Sequence, residues 1–353
     1  MPTNSVTIRD IAQQSGVSVG TVSRVLNQHP DVNQQLRQRV LDVATALHYS
    51  GVMRHGTQSM SRSLKQVGFL LAMTTAVESV TSVGPFWADV LHGVENQAQS
   101  SDCQITFRTV APNENSESLA RTIQESKLGG ILLVGAASPQ LITFLQLQSV
   151  PFVLVDHRLP STNLSAVVAD DFGGMSLTVR YLIDRGHRQI AFLGGTSLLN
   201  PSASEYFYTV DQRLAGYRHT LLSAGITVDP ELHIPCSPNP YGGEVACETL
   251  LTRSNRPTAV CCANDKTAIG ALKALHNAGI RVPEDISIIG YDDSEFSAHT
   301  IPALTTIHIN AEAMGATALR VLLARTNEAE SISATTTLDV TLTERASVRD
   351  ISK

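Results

Sequence analysis

No stretch of about eighteen uninterrupted apolar residues occurs in the chain, so no segment is expected to cross a bilayer as a helix. The first ten residues lack the apolar core of a signal peptide, so export is not expected and the cytoplasm is the expected compartment. Cysteine is sparse: the five (Cys103, Cys236, Cys247, Cys261 and Cys262) are odd in number and show no C-x-x-C spacing. A disulfide framework or a zinc site is therefore not expected. Cys261 and Cys262 lie in an apolar run and read as small core hydrophobes. Neither a G-x-G-x-x-G nor a Walker A sequence follows the first apolar strand, and no Ser, Cys or His sits in a nucleophile-elbow context. Neither an enzyme nor a cofactor protein is expected.

What is present is 353 residues with 42% hydrophobic and 16% charged content, globular values in a chain long enough for two or three domains. The net charge of −6 conceals a split. Residues 1–65 carry seven Lys/Arg and three Asp/Glu, or +4; residues 66–353 carry nineteen and twenty-nine, or −10. A basic head on an acidic body suits a protein that meets phosphates at one end only.

The head reads as helices. Thr7 is placed as an N-cap before apolar residues at Ile8, Ile11 and Ala12, and Gly16 offers a left-handed stop. Ser18 caps a second helix whose Val22, Val25 and Leu26 share one face. Val19, Gly20, Thr21, Ser23 and Arg24 lie elsewhere on it, short side chains beside one guanidinium, which lets a helix approach a groove floor. A third amphipathic helix is expected over 33–48. Together these make a helix-turn-helix; the alternative is a three-helix bundle that binds no DNA.

The run Thr7-Ile-Arg-Asp-Ile-Ala-x-x-Ser-Gly-Val-Ser-Val-x-Thr-Val-Ser-Arg-Val-Leu-Asn27, continued by Val32, Arg37, Val40 and Tyr49, resembles the headpiece of the LacI/GalR family of bacterial transcription regulators. The resemblance implies a DNA-binding set of Thr7, Ser18, Val19, Gly20, Thr21, Ser23, Arg24, Asn27 and Tyr49. Gly20 has no side chain, so less of the base reading can come from that position. It further implies a homodimer on near-palindromic double-stranded operator DNA. The segment after Tyr49 departs from the family, lacking its Pro-Asn pair and the Leu that wedges into the minor groove, while Gly56 interrupts any short helix at about 1 kcal/mol. Either Met53 or Met60 replaces the wedge, or the segment is a plain tether.

From residue 66 onward short apolar runs alternate with helical patterns, at 67–72, 104–110, 130–134, 152–155, 166–169, 189–193, 259–262 and 286–289 for strands and 87–100, 117–126, 212–224 and 266–278 for helices. Buried strands separated by helices mean parallel sheets covered on both faces. The expected fold is α/β: a three-helix helix-turn-helix head and two doubly wound parallel-sheet lobes, with a ligand cleft at the carboxyl ends of the strands. Domains are expected at 1–50 for DNA binding, 51–65 for the linker and 66–345 for effector binding and dimerisation. The first lobe is placed at about 66–160 and 291–322, the second at about 163–288 and 323–345. A strand over 338–343 followed by no heptad repeat argues against a tetramerisation helix.

The resemblance continues through Gly186-His-Arg-x-Ile-Ala191, Arg213-Leu-Ala-Gly-Tyr217, Ala263-Asn-Asp265, Val282-Pro-Glu-Asp-Ile-Ser-x-x-Gly-Tyr-Asp-Asp293 and Pro302-x-Leu-Thr-Thr306. It implies a type I periplasmic-binding-protein fold for the body, with effector contacts at Phe86, Asp170, Arg213 and Asp265, and Asn264 beside the last. Carboxylates and a guanidinium suit vicinal hydroxyls, although any of them can instead be an interlobe salt bridge. Phe86 and Trp87 opposite Tyr206-Phe207-Tyr208 suggest an aromatic wall for the apolar face of a sugar; the alternative is that these rings pack against their own loop. His187 reads as a structural cap. Asp292 and Asp293 read as a hinge or interlobe pair before a metal pair. The expected function is a transcriptional regulator, a repressor in most relatives, whose operator affinity a small carbohydrate changes. The competing reading is a solute-binding protein or sugar sensor without operator function.

Overall fold

A computed structural model describes residues 7–26, 32–33, 35–36, 39–40, 43, 64–73, 84–111, 114–159, 163–195, 207–327 and 333–352. The chain divides into two compact units, Met1–Ser61 and Arg62–Lys353.

In the first unit α1 (Ile8–Ser15) begins at Thr7, whose N–H and hydroxyl both donate to the Asp10 carboxylate at 2.7 Å. It stops at Gly16, where φ is +66° and the N–H returns to the Ala12 carbonyl. The second helix, α2 (Val19–Leu26), opens with the Thr21 N–H donating to Ser18 Oγ at 3.1 Å. Residues Gln35, Leu36, Arg39, Val40 and Val43 are helical; the rest of the expected third helix lies outside the described residues. The core of the unit is Ile11, Ala12, Val22, Val25 and Val40, with Ile8, Val17, Val32 and Val43 around it.

The second unit holds two parallel sheets. The first has six strands in the order β11-β5-β4-β3-β1-β2, from β1 (Gln66–Ala72), β2 (Gln104–Val110), β3 (Gly130–Val134), β4 (Phe152–Val155), β5 (Ala166–Ala169) and β11 (Thr335–Leu338). It is covered by α3 (Pro85–Gln99), α4 (Ser116–Glu125), α5 (Pro139–Gln146) and α10 (Ala311–Asn327). The second sheet has the order β7-β6-β8-β9, from β6 (Ile190–Leu193), β7 (His233–Ile234), β8 (Ala259–Cys262) and β9 (Ser287–Ile289). Helices α6 (Asp171–Asp184), α7 (Tyr208–Ser223), α8 (Pro240–Leu251) and α9 (Asp265–Asn277) accompany it. An antiparallel pair, β10 (Thr306–His308) with β12 (Thr341–Thr343), adjoins the end of β9 through bridges from Ile289 to Thr305 and from Asp292 to His308.

The sheet membership differs from the expected lobe ranges. Ala166–Ala169 pairs with β4 and with β11, so both segments belong to the first sheet. Helix α10 lies along α3 at van der Waals distance, since a Cβ on Gly315 would fall 1.9 Å from the Val90 carbonyl oxygen and one on Gly93 2.0 Å from that of Glu312. The chain thus passes from one sheet system to the other after Ala169, between β10 and α10, and between β11 and β12. Residues 338–343, expected as one strand, divide there between two sheets.

His187 is buried, with Nδ1 2.9 Å from Thr258 Oγ1 and Nε2 3.1 Å from the Arg349 carbonyl oxygen. It ties the C-terminal segment to the second sheet, a structural role. All five cysteines are free thiols, and burial pushes Cys236 and Cys247 up to about 12.

Candidate functional site

Two surfaces carry functional chemistry. On the head, Val19, Gly20 and Arg24 are exposed and Thr21 is half-buried, while Val22 and Val25 face the core. The reason is periodicity: positions 22 and 25 share the buried face, leaving the first turn open. Thr7 and Ser18 hold the helix starts, and Ser18 Oγ also lies 2.8 Å from Thr21 Oγ1. Ser23 belongs to α2. Asn27, Tyr49, Met53 and Met60 lie outside the described residues.

The second surface is where strand ends and sheet crossings of the body meet. Arg213 of α7 is 4% exposed and stands at its centre. Its Nε donates to Asp171 Oδ1 at 2.8 Å, Nη1 donates to the Ala263 carbonyl at 2.6 Å, and Nη1 lies 3.1 Å from Asp292 Oδ1. The guanidinium carbon sits 3.8 Å from the centre of the Tyr291 ring, a cation–π contact. Asp156, which directly follows β4, completes the group. Its Oδ1 and the Oδ2 of Asp171 are enclosed and accept no hydrogen bond. Asp156, Asp292 and Asp293 hold φ of 54°, 103° and 52°, a left-handed backbone that side chains rarely adopt and that concentrates at functional sites.

Burial raises Asp156, Asp171 and Asp292 above the ordinary carboxylate range, and Asp171 reaches about 6 although Arg213 pulls it down. Burial opposes the charge on Arg213 as well, but the surrounding carboxylates, Asp171 foremost, hold it protonated. Three carboxyls around one guanidinium leave an excess of acceptors. That is a site for hydrogen-bond donors.

Beside this cluster a cavity of about 370 Å³ is lined by Pro85, Phe86, Asp89, the 292–295 segment and the 308–312 segment. Phe86 and Trp87 meet edge to face at the start of α3, centroids 4.9 Å apart. Phe207 is half-buried against the core and Tyr208 begins α7; Tyr206 lies outside the described residues. The Phe207 ring thus packs against the core of the body.

The expected polar contacts are placed unequally. Asp170 caps α6, accepting from the Gly173 N–H at 2.9 Å. Asn264 caps α9 through Oδ1, accepting from the Thr267 N–H and hydroxyl, each at 2.8 Å, and its amide donates to Pro238. Asp265 is fully buried, with Oδ1 accepting from Thr306 Oγ1 and Oδ2 from the Ser294 N–H, both at 2.6 Å. Asp156, Asp171 and Tyr291 are not among the residues expected from the sequence, and Asp292 is expected there as part of a hinge or interlobe pair. Among the described residues no group of three or more His, Cys, Asp or Glu is placed to hold a metal ion. Asp293 is instead bound by Arg345 at 2.7 Å and His308 at 3.1 Å.

Asp265 sets a pH dependence. Burial, then the charge of Asp292, pushes it from 3.8 to about 7, against the hydrogen bonds from Thr306 and Ser294. A carboxyl that holds its proton more tightly when folded supports the fold fully below about pH 4, and that support is lost as pH rises through 7. Asp171 acts in the same direction. Below about pH 6.5 the histidines His157, His187 and His233, held low by burial, act the other way; above it the melting temperature of the body is expected to fall towards pH 8, and Asp265→Asn to flatten part of that slope. Thermal melts across that upper window check this; a rise with pH there would contradict it.

Comparison with known proteins covers both the head and the body. Residues 7–51 match the family model described as bacterial regulatory proteins, lacI family, and residues 179–348 match that of a periplasmic binding protein-like domain. The HTH-type transcriptional repressor PurR of Erwinia tasmaniensis is 32% identical over 348 residues, covering 98% of this chain and 97% of the relative. Among solved structures, a complex of the transcriptional regulator CelR with cellobiose is 28% identical with a TM-score of 0.71, covering 97% of this chain and 99% of the other. A lac repressor dimer bound to operator and the anti-inducer ONPF is 25% identical with a TM-score of 0.68, covering 98% and 100%. Among the described residues no helix is long and apolar enough to cross a membrane. With a family headpiece at one end, a binding-protein-like body behind it and relatives alike over nearly the full length, the chain belongs to the LacI family of bacterial regulators, DNA-binding transcription regulators rather than enzymes.

Proposed function

We propose that the protein is a cytoplasmic transcriptional repressor that binds a near-palindromic operator as a homodimer and whose operator affinity is set by a small carbohydrate in the cleft of the body. Residues 1–50 form the DNA-binding domain, 51–65 the linker, and 66–345 the effector-binding and dimerisation domain. Val19, Gly20, Thr21, Ser23, Arg24 and Asn27 meet base edges and phosphates, with Thr7, Ser18 and Tyr49 fixing how the helices are presented. The observation that carries the effector reading is the Arg213 cluster, three carboxyls around one guanidinium, of which Asp292 also lines the cavity. Hydroxyl donors suit the carboxyls of that lining, and the edge-to-face pair Phe86 and Trp87 offers an apolar surface for the carbon face of a sugar ring. Asp170, Asn264 and Asp265 position the strand and helix ends around that ligand.

The chain crosses between the two sheet systems at the same place, so a ligand held there biases the angle between them. A ligand acts only through a difference in affinity between two conformations; a hundredfold change in operator affinity requires about 2.7 kcal/mol of coupling. The test is fluorescence anisotropy on labelled DNA from upstream of the gene, with and without a panel of sugars. Saturable, salt-sensitive binding that one sugar weakens or tightens is the expected result. Folded protein that fails to bind specifically at low salt would overturn the repressor reading in favour of a sugar sensor without operator function.

A further inference from the structure

We propose that the cleft selects an uncharged polyhydroxyl ligand and rejects its acidic counterparts, the sugar phosphates and uronic acids; this rests on the effector reading above.

The base of the cleft has no positive charge left to offer an anion. The Arg213 guanidinium is held by Asp171, the Ala263 carbonyl and Asp292, and its face lies on Tyr291. Beside that guanidinium the Oδ1 of Asp156 and the Oδ2 of Asp171 are enclosed and without a donor, so they act on an incoming group through their charge rather than by contact. Asp171 is 1% exposed, so water screens it little. A phosphate or carboxylate presents only lone pairs and a like charge, in a medium where charge repulsion is poorly screened.

The mouth repeats the pattern independently. Among the described residues the cavity lining carries Asp89, Asp292, Asp293, Glu295 and Glu312, and neither Lys nor Arg. His308 is on the lining but is bound to Asp293, which Arg345 also holds. The Lys266 ammonium at the rim approaches Gly84, its Nζ 3.4 Å from where a Gly84 Cβ would lie, and acts on Asp292. Base and mouth therefore disfavour the same class of ligand through their field.

The experiment uses the full-length chain at pH 8, where a proton taken up by the carboxyls least offsets the repulsion. Isothermal titration is run with neutral mono- and disaccharides, ribose, glucose and cellobiose among them, and with the terminal phosphate and uronic acid of each. A neutral sugar is expected to bind and to lose roughly a hundredfold in affinity when either anion is added. The double variant Asp89→Asn/Glu312→Gln, at two exposed positions of the mouth, is expected to narrow that ratio by about tenfold. An acidic derivative binding as tightly as its parent, or a ratio the variant leaves unchanged, would overturn the proposal. If no member of the panel binds, the effector reading itself falls and this inference with it.

Discussion

Arg213→Met is expected to lower the melting temperature of the body by roughly 10 °C and to abolish the response to effector while operator binding in its absence survives. The substitution keeps much of the side-chain volume and removes the charge. Asp171 is then left at 1% exposure with no partner for Oδ1, and Asp292 loses its 3.1 Å contact. Breaking a buried pair from one side leaves an uncompensated charge, at a cost of about 3–5 kcal/mol. The effect has an internal check in pH. Asp171 already stands at about 6 through burial, and loss of the guanidinium that pulls it down raises it further. Acidification to pH 5 protonates the orphaned carboxyl and recovers part of the lost stability, as does a second substitution, Asp171→Asn. Thermal melts at pH 5 and pH 8, with anisotropy for DNA binding, measure all of this. A variant as stable as the parent at pH 8 would show that the cluster is not held together by this guanidinium.

The head was legible because its signals are local. Thr7, Gly16 and Ser18 stand within one turn of the helix ends they set, and the apolar stripe of Ile8, Ile11 and Ala12 needs no distant partner. The strands were legible because parallel strands buried on both faces are continuous apolar runs, as Gly130–Val134 and Phe152–Val155 are. What escaped was set by contacts far apart in sequence. Helices α6 and α8, absent from the expected helices, carry Phe172-Gly-Gly174 and Tyr241-Gly-Gly243 in their first turns, and glycine is a poor helix former. In the structure a Cβ on Gly243 would fall 2.1 Å from the Thr267 carbonyl oxygen, so that glycine serves close helix packing. The lobe ranges shifted because Thr335 pairs with Ala166, a partnership no local pattern announces.

The cleft was half legible for the same reason. Arg213 was found through the motif around it, but its partners come from three separate segments. A usable signal did exist: Asp156 follows the wholly apolar β4, and Tyr291-Asp292 follows β9 by one glycine. A carboxylate placed just past the carboxyl end of a buried parallel strand points to the crevice where such sheets bind ligands.

The second large effect separates the head from the body. Ile11→Ala is expected to unfold the head and abolish operator binding, with effector affinity and the melting transition of the body unchanged. Ile11 is fully buried in a small core whose buried members among the described residues are Ile11, Ala12, Val22, Val25 and Val40. Truncating a buried Ile to Ala costs about 2–5 kcal/mol. A domain of some fifty residues buries too little surface to hold much more than that in reserve. The body has its own cores, which include none of these side chains, so nothing in them is disturbed. Calorimetry resolves the two transitions, and anisotropy with titration of the effector resolves the two functions. Exchanging exposed Arg24 for Ala provides the contrast, since it leaves both transitions in place and weakens DNA binding by about 1–3 kcal/mol. If Ile11→Ala also moved the body's transition, the units would not fold separately, and the account of a DNA head joined to an independent sensing body would have to be abandoned.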